Sequence, residues 1–392
     1  MSTSVRCNPV RAGSAVAPGT ASVTAPGTGS AATLFARPAA PIAPLPARRQ
    51  LLAGLTGVAG MTLLPGCHSV SSRSGSAADL GGIIDVHHHL MPPTVTAAQQ
   101  RLGPPVEPPS LRWRPEHSIA DMDAAGVAVS MLSITTPGVN FTTGDLMVRL
   151  ARDSNEYAAR LIGEHPGRFG SFAALPLPDI DASLREIEYA MDTLHAEGIG
   201  LLTSYDNRWL GHASFAPVLQ ELDRRKAVVY THPTAANCCR NLLMPELNDS
   251  AIEFGTDTTR TIASLLFSGA AIRYPNIHWI FSHAGGTMPF LNERLVRAPQ
   301  VNPRLAERVP QGALAALRRF HYDIAQAAHP AALAALTQII PTSQIVFGTD
   351  FPYRTAADHV KGLINFGFSA DALHAIGHAN MQALLPQLKA RT

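Results

Sequence analysis

From residue 82 onward, short apolar runs alternate with segments of helical period. The apolar runs are Ile83–His87, Val127–Ser133, Phe169–Leu175, Gly198–Thr203, Ala227–His232, Ile277–His283, Phe320–Ile324 and Ile345–Asp350. Each is rich in β-formers and bounded by polar residues, Gly or Pro, the pattern of parallel strands buried on both faces. The intervening segments place apolar residues on one face. In 145–165, that face carries Leu146, Val148, Leu150, Ala151, Tyr157, Ala158 and Leu161. Further amphipathic segments occupy 183–197, 214–225, 258–273, 330–337 and 371–385. Repeated strand–helix pairs over 82–392 predict an α/β fold, a (β/α)8 TIM barrel. An open doubly wound sheet would carry a Gly-rich turn after its first strand. His87-His88-His89 stands there instead.

The front of the chain has neither period. Residues 1–46 contain 32 Ala, Pro, Gly, Ser or Thr and are expected to be a disordered leader, because they cannot bury enough apolar surface to offset chain entropy. A signal-like segment follows at 47–67. Arg48-Arg49-Gln50-Leu51-Leu52 opens a fourteen-residue apolar run ending at Leu64, too short to span a bilayer but suited to a signal core. It resembles a twin-arginine export signal. Leu64-Pro65-Gly66-Cys67 resembles a lipoprotein cleavage box, with Cys67 as the lipid anchor and Pro65 an unusual occupant. The expectation is export to a periplasmic or lipid-anchored location. The alternative is a cytoplasmic protein with an apolar extension. A Ser/Gly/Ala linker covers 68–81.

Charge changes that picture little but excludes one class. The net +2 combines six Arg and no acid in residues 1–78 with 25 basic and 29 acidic side chains in the rest. The body is mildly acidic, which argues against nucleic acid as a partner. Four Cys (7, 67, 238 and 239) are too few and too poorly spaced for a disulfide scaffold, and adjacent Cys238 and Cys239 are expected to be inert thiols.

Sixteen His are more informative, because fifteen lie in the body. Functional residues of a barrel gather at the C-terminal ends of its strands. Period-2 alternation sends His87 and His89 to one side and His88 to the other. Strand five ends at His232, strand six at His283 and strand eight at Asp350. Four imidazoles and one carboxylate thus meet at one mouth and suit a divalent metal. Zn2+ is the expected ion, with Fe, Co and Mn left open. Other His (88, 117, 165, 195, 212, 278, 329, 359, 374 and 378) are assigned to packing or the surface. So are Tyr322 and Asp323. Asp257 and Thr258 read as a helix N-cap, with Arg260 structural.

The body resembles the amidohydrolase superfamily. Within it, the chain is similar to the branch of aminocarboxymuconate-semialdehyde, γ-resorcylate and 6-methylsalicylate decarboxylases. Matching stretches include Trp113–Glu116, Met122–Gly126, Asp257–Thr261, Ser282–Thr287 and Phe347–Tyr353. The resemblance implies His87, His89, His232 and Asp350 as metal ligands. It implies His283 as the residue that handles a metal-bound water or the substrate proton. Dinuclear relatives carry a lysine at the end of strand four. This strand ends Leu202-Thr203-Ser204, so a single metal is expected. A homodimer is also implied.

The implied activity is a metal-dependent, nonoxidative decarboxylation of a hydroxyaryl or related unsaturated carboxylic acid. His283 and Asp350 are the candidate proton carriers. Arg112 and Arg114 are the candidate clamps for the substrate carboxylate. The same ligands fit a hydrolase of lactones, amides or esters, since a metal can also activate water. A non-catalytic metal-binding protein is the third reading. An exported structural site would close its coordination sphere, whereas His283 beside the ligands leaves it reactive.

Overall fold

The structure is a computed structural model that describes residues 75–390, except 242 and 245. The leader, the signal-like segment and Cys67 lie outside the described residues. Residues 75–81, expected as linker, pack on the body: Leu80 is fully buried, and the Gly75 N–H donates to the Phe368 carbonyl at 3.1 Å.

Eight strands run in parallel. They are β1 (Ile83–His89), β2 (Val127–Ser133), β3 (Phe169–Ala174), β4 (Gly198–Leu202), β5 (Val228–His232), β6 (His278–Phe281), β7 (His321–Asp323) and β8 (Ile345–Val346). They pair in chain order from β1 to β8. Closure comes from the chain after β8. Val86 donates to Phe347 at 3.0 Å, Asp350 donates to the His87 carbonyl at 2.8 Å, and His89 donates to Phe351 at 2.9 Å. The sheet thereby closes into the expected (β/α)8 barrel, its last seam held by these single bonds.

Two apolar layers hold it. The inner one joins Ile84, Val129, Met131, Phe172, Val228, Tyr230, Ile280 and Val346 with Met381, Leu385 and Leu388 from the C-terminal end. The outer one lies between strands and helices and includes Phe169, Trp279, Phe281, Tyr322, Ile345 and Phe347. Trp113 belongs to it too, at 3% exposure, and is a packing residue. The long helix Gly144–Glu164 buries Met147, Leu150, Ala151, Ala158 and Leu161, an i, i+3, i+4 stripe. Its Asn155 side chain both donates to and accepts from the backbone of Ala174, satisfying the end of β3.

Several expected boundaries move. The helix before β6 begins at Glu253 and breaks after Phe267, where Gly269 adopts φ +77°. Asp257 is therefore one turn inside the helix and not its N-cap. Its buried carboxylate accepts from Ser204 Oγ at 2.9 Å, Trp209 Nε1 at 2.6 Å and Thr203 Oγ1 at 2.5 Å. This clamp ties the end of β4 and the small hairpin Ser204–Tyr205/Arg208–Trp209 to the helix. Thr203 Oγ1 in turn accepts from the Thr234 N–H at 3.2 Å, beside His232. Cys238 and Cys239, expected as thiols, are joined as a vicinal disulfide.

Candidate metal centre

Strand β1 does not alternate regularly. Its pairing with β2 slips between Asp85 and His88, the mark of a bulge. Strict alternation would put Asp85 beside His87. Instead its carboxylate accepts from the His88 ring at 3.0 Å and from the Thr349 hydroxyl at 2.7 Å. The other His88 nitrogen lies 2.8 Å from Ser118 Oγ. His88 thus faces the helical layer, while His87 and His89 face the mouth.

His87, His89, His232 and Asp350 come together there, each offering one ligand atom, all within 4.8 Å of one another. All four are at most 4% exposed. Their hydrogen bonds settle the tautomers. His87 Nδ1 donates to Asp323 Oδ2 at 2.8 Å, His89 Nδ1 to the Ser133 carbonyl at 3.2 Å, and His232 Nδ1 to the Pro233 carbonyl at 2.8 Å. With every Nδ1 spoken for, each ring in its neutral form turns an Nε2 lone pair inward, as a metal ligand must. Two of these, on His89 and His87, lie 2.9 and 3.1 Å from Asp350 Oδ1. Lone pairs that face a carboxylate oxygen repel unless a cation lies between them. His87 Nε2 is buried without a hydrogen-bond partner among the described residues. The residues therefore fit a divalent cation held by three imidazoles and one carboxylate.

The electrostatics agree. Burial alone would push the His87 imidazole down, but Asp323 and then Asp350 outweigh it and hold it up at about 10. Negative charge is concentrated where a cation belongs. Burial lowers His89, partly opposed by Asp350. Burial also carries His232 well below its ordinary value, reinforced by the neighbouring His89 and His87. For Asp350, burial would raise the carboxyl, yet His87, His283 and His89 hold it well below the carboxylate range.

His283 reaches the same place by a different route. Strand β6 ends at Phe281, which faces the outer layer, so continued alternation would turn His283 outward as well. A turn with His283 at φ +53° and Ala284 at φ +57° swings the ring into the mouth instead. Its Nε2 lies 3.4 Å from Asp350 Oδ2. Asp350 itself sits at φ +68°. Left-handed backbone at non-glycine residues is strained and tends to mark functional sites.

Asp323, assigned to packing from sequence, has a larger role. It is fully buried and orients three groups: the His87 ring, the His283 N–H at 2.8 Å and the Ala325 N–H at 3.0 Å. Tyr322 does pack, with its hydroxyl donating to the Leu317 carbonyl at 2.9 Å. Gly348 leaves the Asp323–His87 pair its room. A Cβ there would lie 3.0 Å from both Asp323 Cβ and His87 Cβ.

The ligands open on a cavity of about 520 Å3. Leu90, Met91, Val95, Ile134 and Phe254 supply apolar wall, and Tyr353 lies near Asp350. Arg112 and Arg114 are not among its lining residues. Arg112 ends a short helix, and Arg114 donates to the Trp113 carbonyl at 2.7 Å. Among the described lining residues the one Lys or Arg is Arg240, from the loop after β5. Its Nε donates to the Ala235 carbonyl at 2.8 Å, and it has no ion pair among the described residues. Nothing in the sequence distinguished Arg240 from other loop arginines except its place eight residues after His232.

Comparison with known proteins agrees with this geometry. The family model Amidohydrolase matches residues 84–387. Decarboxylase yanB of Aspergillus niger is 36% identical over 324 residues, covering 78% of this chain and 88% of that protein. The 6-methylsalicylic acid decarboxylase of Penicillium expansum is 36% identical over 277 residues, covering 69% and 84%. Among solved structures, a dihydroxybenzoic acid decarboxylase from Polaromonas, with bound manganese and the inhibitor 2-nitroresorcinol, superposes with a TM-score of 0.65. It is 22% identical and covers 78% of this chain and 97% of that one. The barrel, its mononuclear ligand set and these relatives together show that the chain belongs to the amidohydrolase family, in its decarboxylase branch.

Proposed function

We propose that this chain is a metal-dependent, nonoxidative decarboxylase that releases CO2 from a hydroxyaryl carboxylic acid of the 6-methylsalicylate type. The observation that carries the reading is the convergence of three Nε2 lone pairs and Asp350 Oδ1 at the end of a cavity with apolar walls and one arginine. Kinship with the Penicillium expansum enzyme supports the substrate class.

Loss of CO2 from an aromatic acid needs somewhere for the C–C electron pair to go. A proton added to the ring carbon that bears the carboxylate provides it. Cleavage then restores aromaticity and leaves ring C–H and CO2. The divalent ion, when bound, supplies Lewis acidity and a template for the adjacent hydroxyl and carboxylate oxygens. The protein supplies the rest. Leu90, Ile134 and Phe254 exclude water from the ring face. Arg240 meets the negative charge of the acid. His283 Nε2 and Asp350 Oδ2, 3.4 Å apart, are the groups that would pass the proton to the substrate. Zn2+ is the ion we assign by donor chemistry. Metal analysis of the purified protein that finds Mn2+, the ion in the Polaromonas enzyme, would replace it.

Metal-loaded protein incubated with a panel of hydroxybenzoates is expected to release CO2 from at least one ortho-hydroxy acid. Turnover of lactones or esters with no CO2 from any acid would overturn the reading in favour of a hydrolase. Export through the twin-arginine-type segment with a lipid on Cys67 is a separate proposal. Labelling with a lipid precursor tests it, and Met1 retained on an unlabelled protein would reject it.

A further inference from the structure

The loop after β7 contributes a residue, Gln326, whose side chain contacts the ligand Asp350. Asp350 has two oxygens with different duties. Oδ1 faces the Nε2 atoms of His87 and His89. Oδ2 accepts from the Gln326 carboxamide, and His283 Nε2 lies 3.4 Å from it. Gln326 lines the cavity and holds an unfavourable backbone, φ +52°. That conformation is anchored from outside the barrel. The Gln326 N–H donates to His359 Nε2 at 2.9 Å, and His359 Nδ1 donates to the Thr355 carbonyl at 2.8 Å. His359 is 2% exposed, and burial pushes its imidazole down, toward the neutral form that an acceptor needs.

We propose that Gln326 is a positioning residue: by donating to one oxygen of Asp350 it fixes the plane of the carboxylate so that the other oxygen faces the metal, and His359 holds Gln326 in place. A carboxylate at the end of a strand can swing its plane about its last torsion and turn both oxygens away from a metal. A donor fixed on one oxygen removes that freedom. Outer partners of metal ligands typically contribute about 10–100-fold in metal affinity or activity. The carboxamide suits this task because it donates without adding charge. A carboxylate at the same place would repel Asp350, and a lysine would compete with the cation.

The inference rests on the metal-centre reading, and the experiment separates the two. Co2+ is loaded into the full-length protein, and its visible absorption bands and rate of loss to a chelator are measured. The variants are Gln326→Leu, Gln326→Glu and His359→Phe. Gln326→Leu is expected to shift the Co2+ bands and to lose the ion roughly 10–100-fold faster, with an unchanged thermal midpoint in the metal-free protein. Gln326→Glu is expected to lose the ion at least as fast. His359→Phe, which removes the acceptor for the Gln326 N–H, should move both readouts in the same direction by less. Unchanged Co2+ bands and release rate in Gln326→Leu overturn the assignment. A parent protein that binds no Co2+ overturns the metal centre itself, and this inference with it.

Discussion

Asp323 Oδ2 lies 2.8 Å from His87 Nδ1, and both side chains are wholly buried, 236 residues apart in the chain. One contact from strand seven thus sets the tautomer and orientation of a ligand on strand one. The same carboxylate also takes the backbone N–H groups of His283 and Ala325.

Replacing Asp323 by Ala should therefore be felt twice. Three buried donors lose their acceptor at once, each worth about 1–3 kcal/mol, so the folded protein should be destabilised by at least about 3 kcal/mol. Metal affinity should fall roughly 10–100-fold. Chemical denaturation and a metal titration measure the two effects. Asp323→Asn keeps an acceptor for His87 and should be milder in both. Equal behaviour of parent and Asp323→Ala would contradict the role assigned to this pair.

His87→Ala and Asp350→Asn each remove a ligand but leave the strands paired. Both variants should lose bound metal and decarboxylation while keeping the parent far-ultraviolet circular dichroism. Metal content near one ion per chain in either variant would dismantle the ligand set.

Arg240→Gln should raise KM for the acid by about 10-fold or more, since a hydrogen bond to a charged group is worth about 1.5–3 kcal/mol, with a smaller change in kcat. Arg112→Gln, which lies off the cavity, should leave both constants near those of the parent. Steady-state kinetics on the two variants decide between these arginines. The reverse result would return the carboxylate clamp to the segment before the third helix, Pro115–Ala125.

His321 gives the fold a pH dependence that has nothing to do with catalysis. Burial pushes its imidazole down to about 4, helped by nearby His278. In the unfolded chain the group titrates near its ordinary value, so between that value and about 4 the unfolded state binds more protons. Stability is then fully present above about 6.5 and declines as pH falls through the window, by on the order of 3 kcal/mol in all. His321→Asn should flatten this part of the stability curve. Denaturant midpoints of metal-free parent and variant at pH 7.5 and 4.5 test it. Parallel losses in both would assign the acid sensitivity elsewhere.

Much of the barrel is legible in the chain because buried parallel strands are short and apolar. Residues 127–133 and 330–337 form the expected elements without a shift. Strand eight is less legible. Only Ile345–Val346 has regular ladder geometry, and the following residues pair with β1 through single bonds. Asp257 was misplaced for a related reason. A Thr-rich stretch after an acid looks like a helix start, but the helix had already begun at Glu253, and burial against Thr203, Ser204 and Trp209 claimed the carboxylate.

At the site, the sequence by itself determined which residue types reach the mouth. Alternation separates His87 and His89 from His88, and His232 and Asp350 stand at strand ends whatever the helices do. Tertiary structure decided how they are used. The bulge in β1 turned His87 and His89 to the mouth while Asp85 and His88 face the helical layer, and a left-handed turn brought His283 inward against the strand period. Barrel closure placed Asp323 on His87 and Gln326 on Asp350, and it left Arg240 rather than Arg112 or Arg114 facing the cavity. The physical reason is the same in each case. Periodicity is a local property of the backbone, whereas a hydrogen-bond partner or a free charge depends on which distant segment the closed sheet brings within 3 Å.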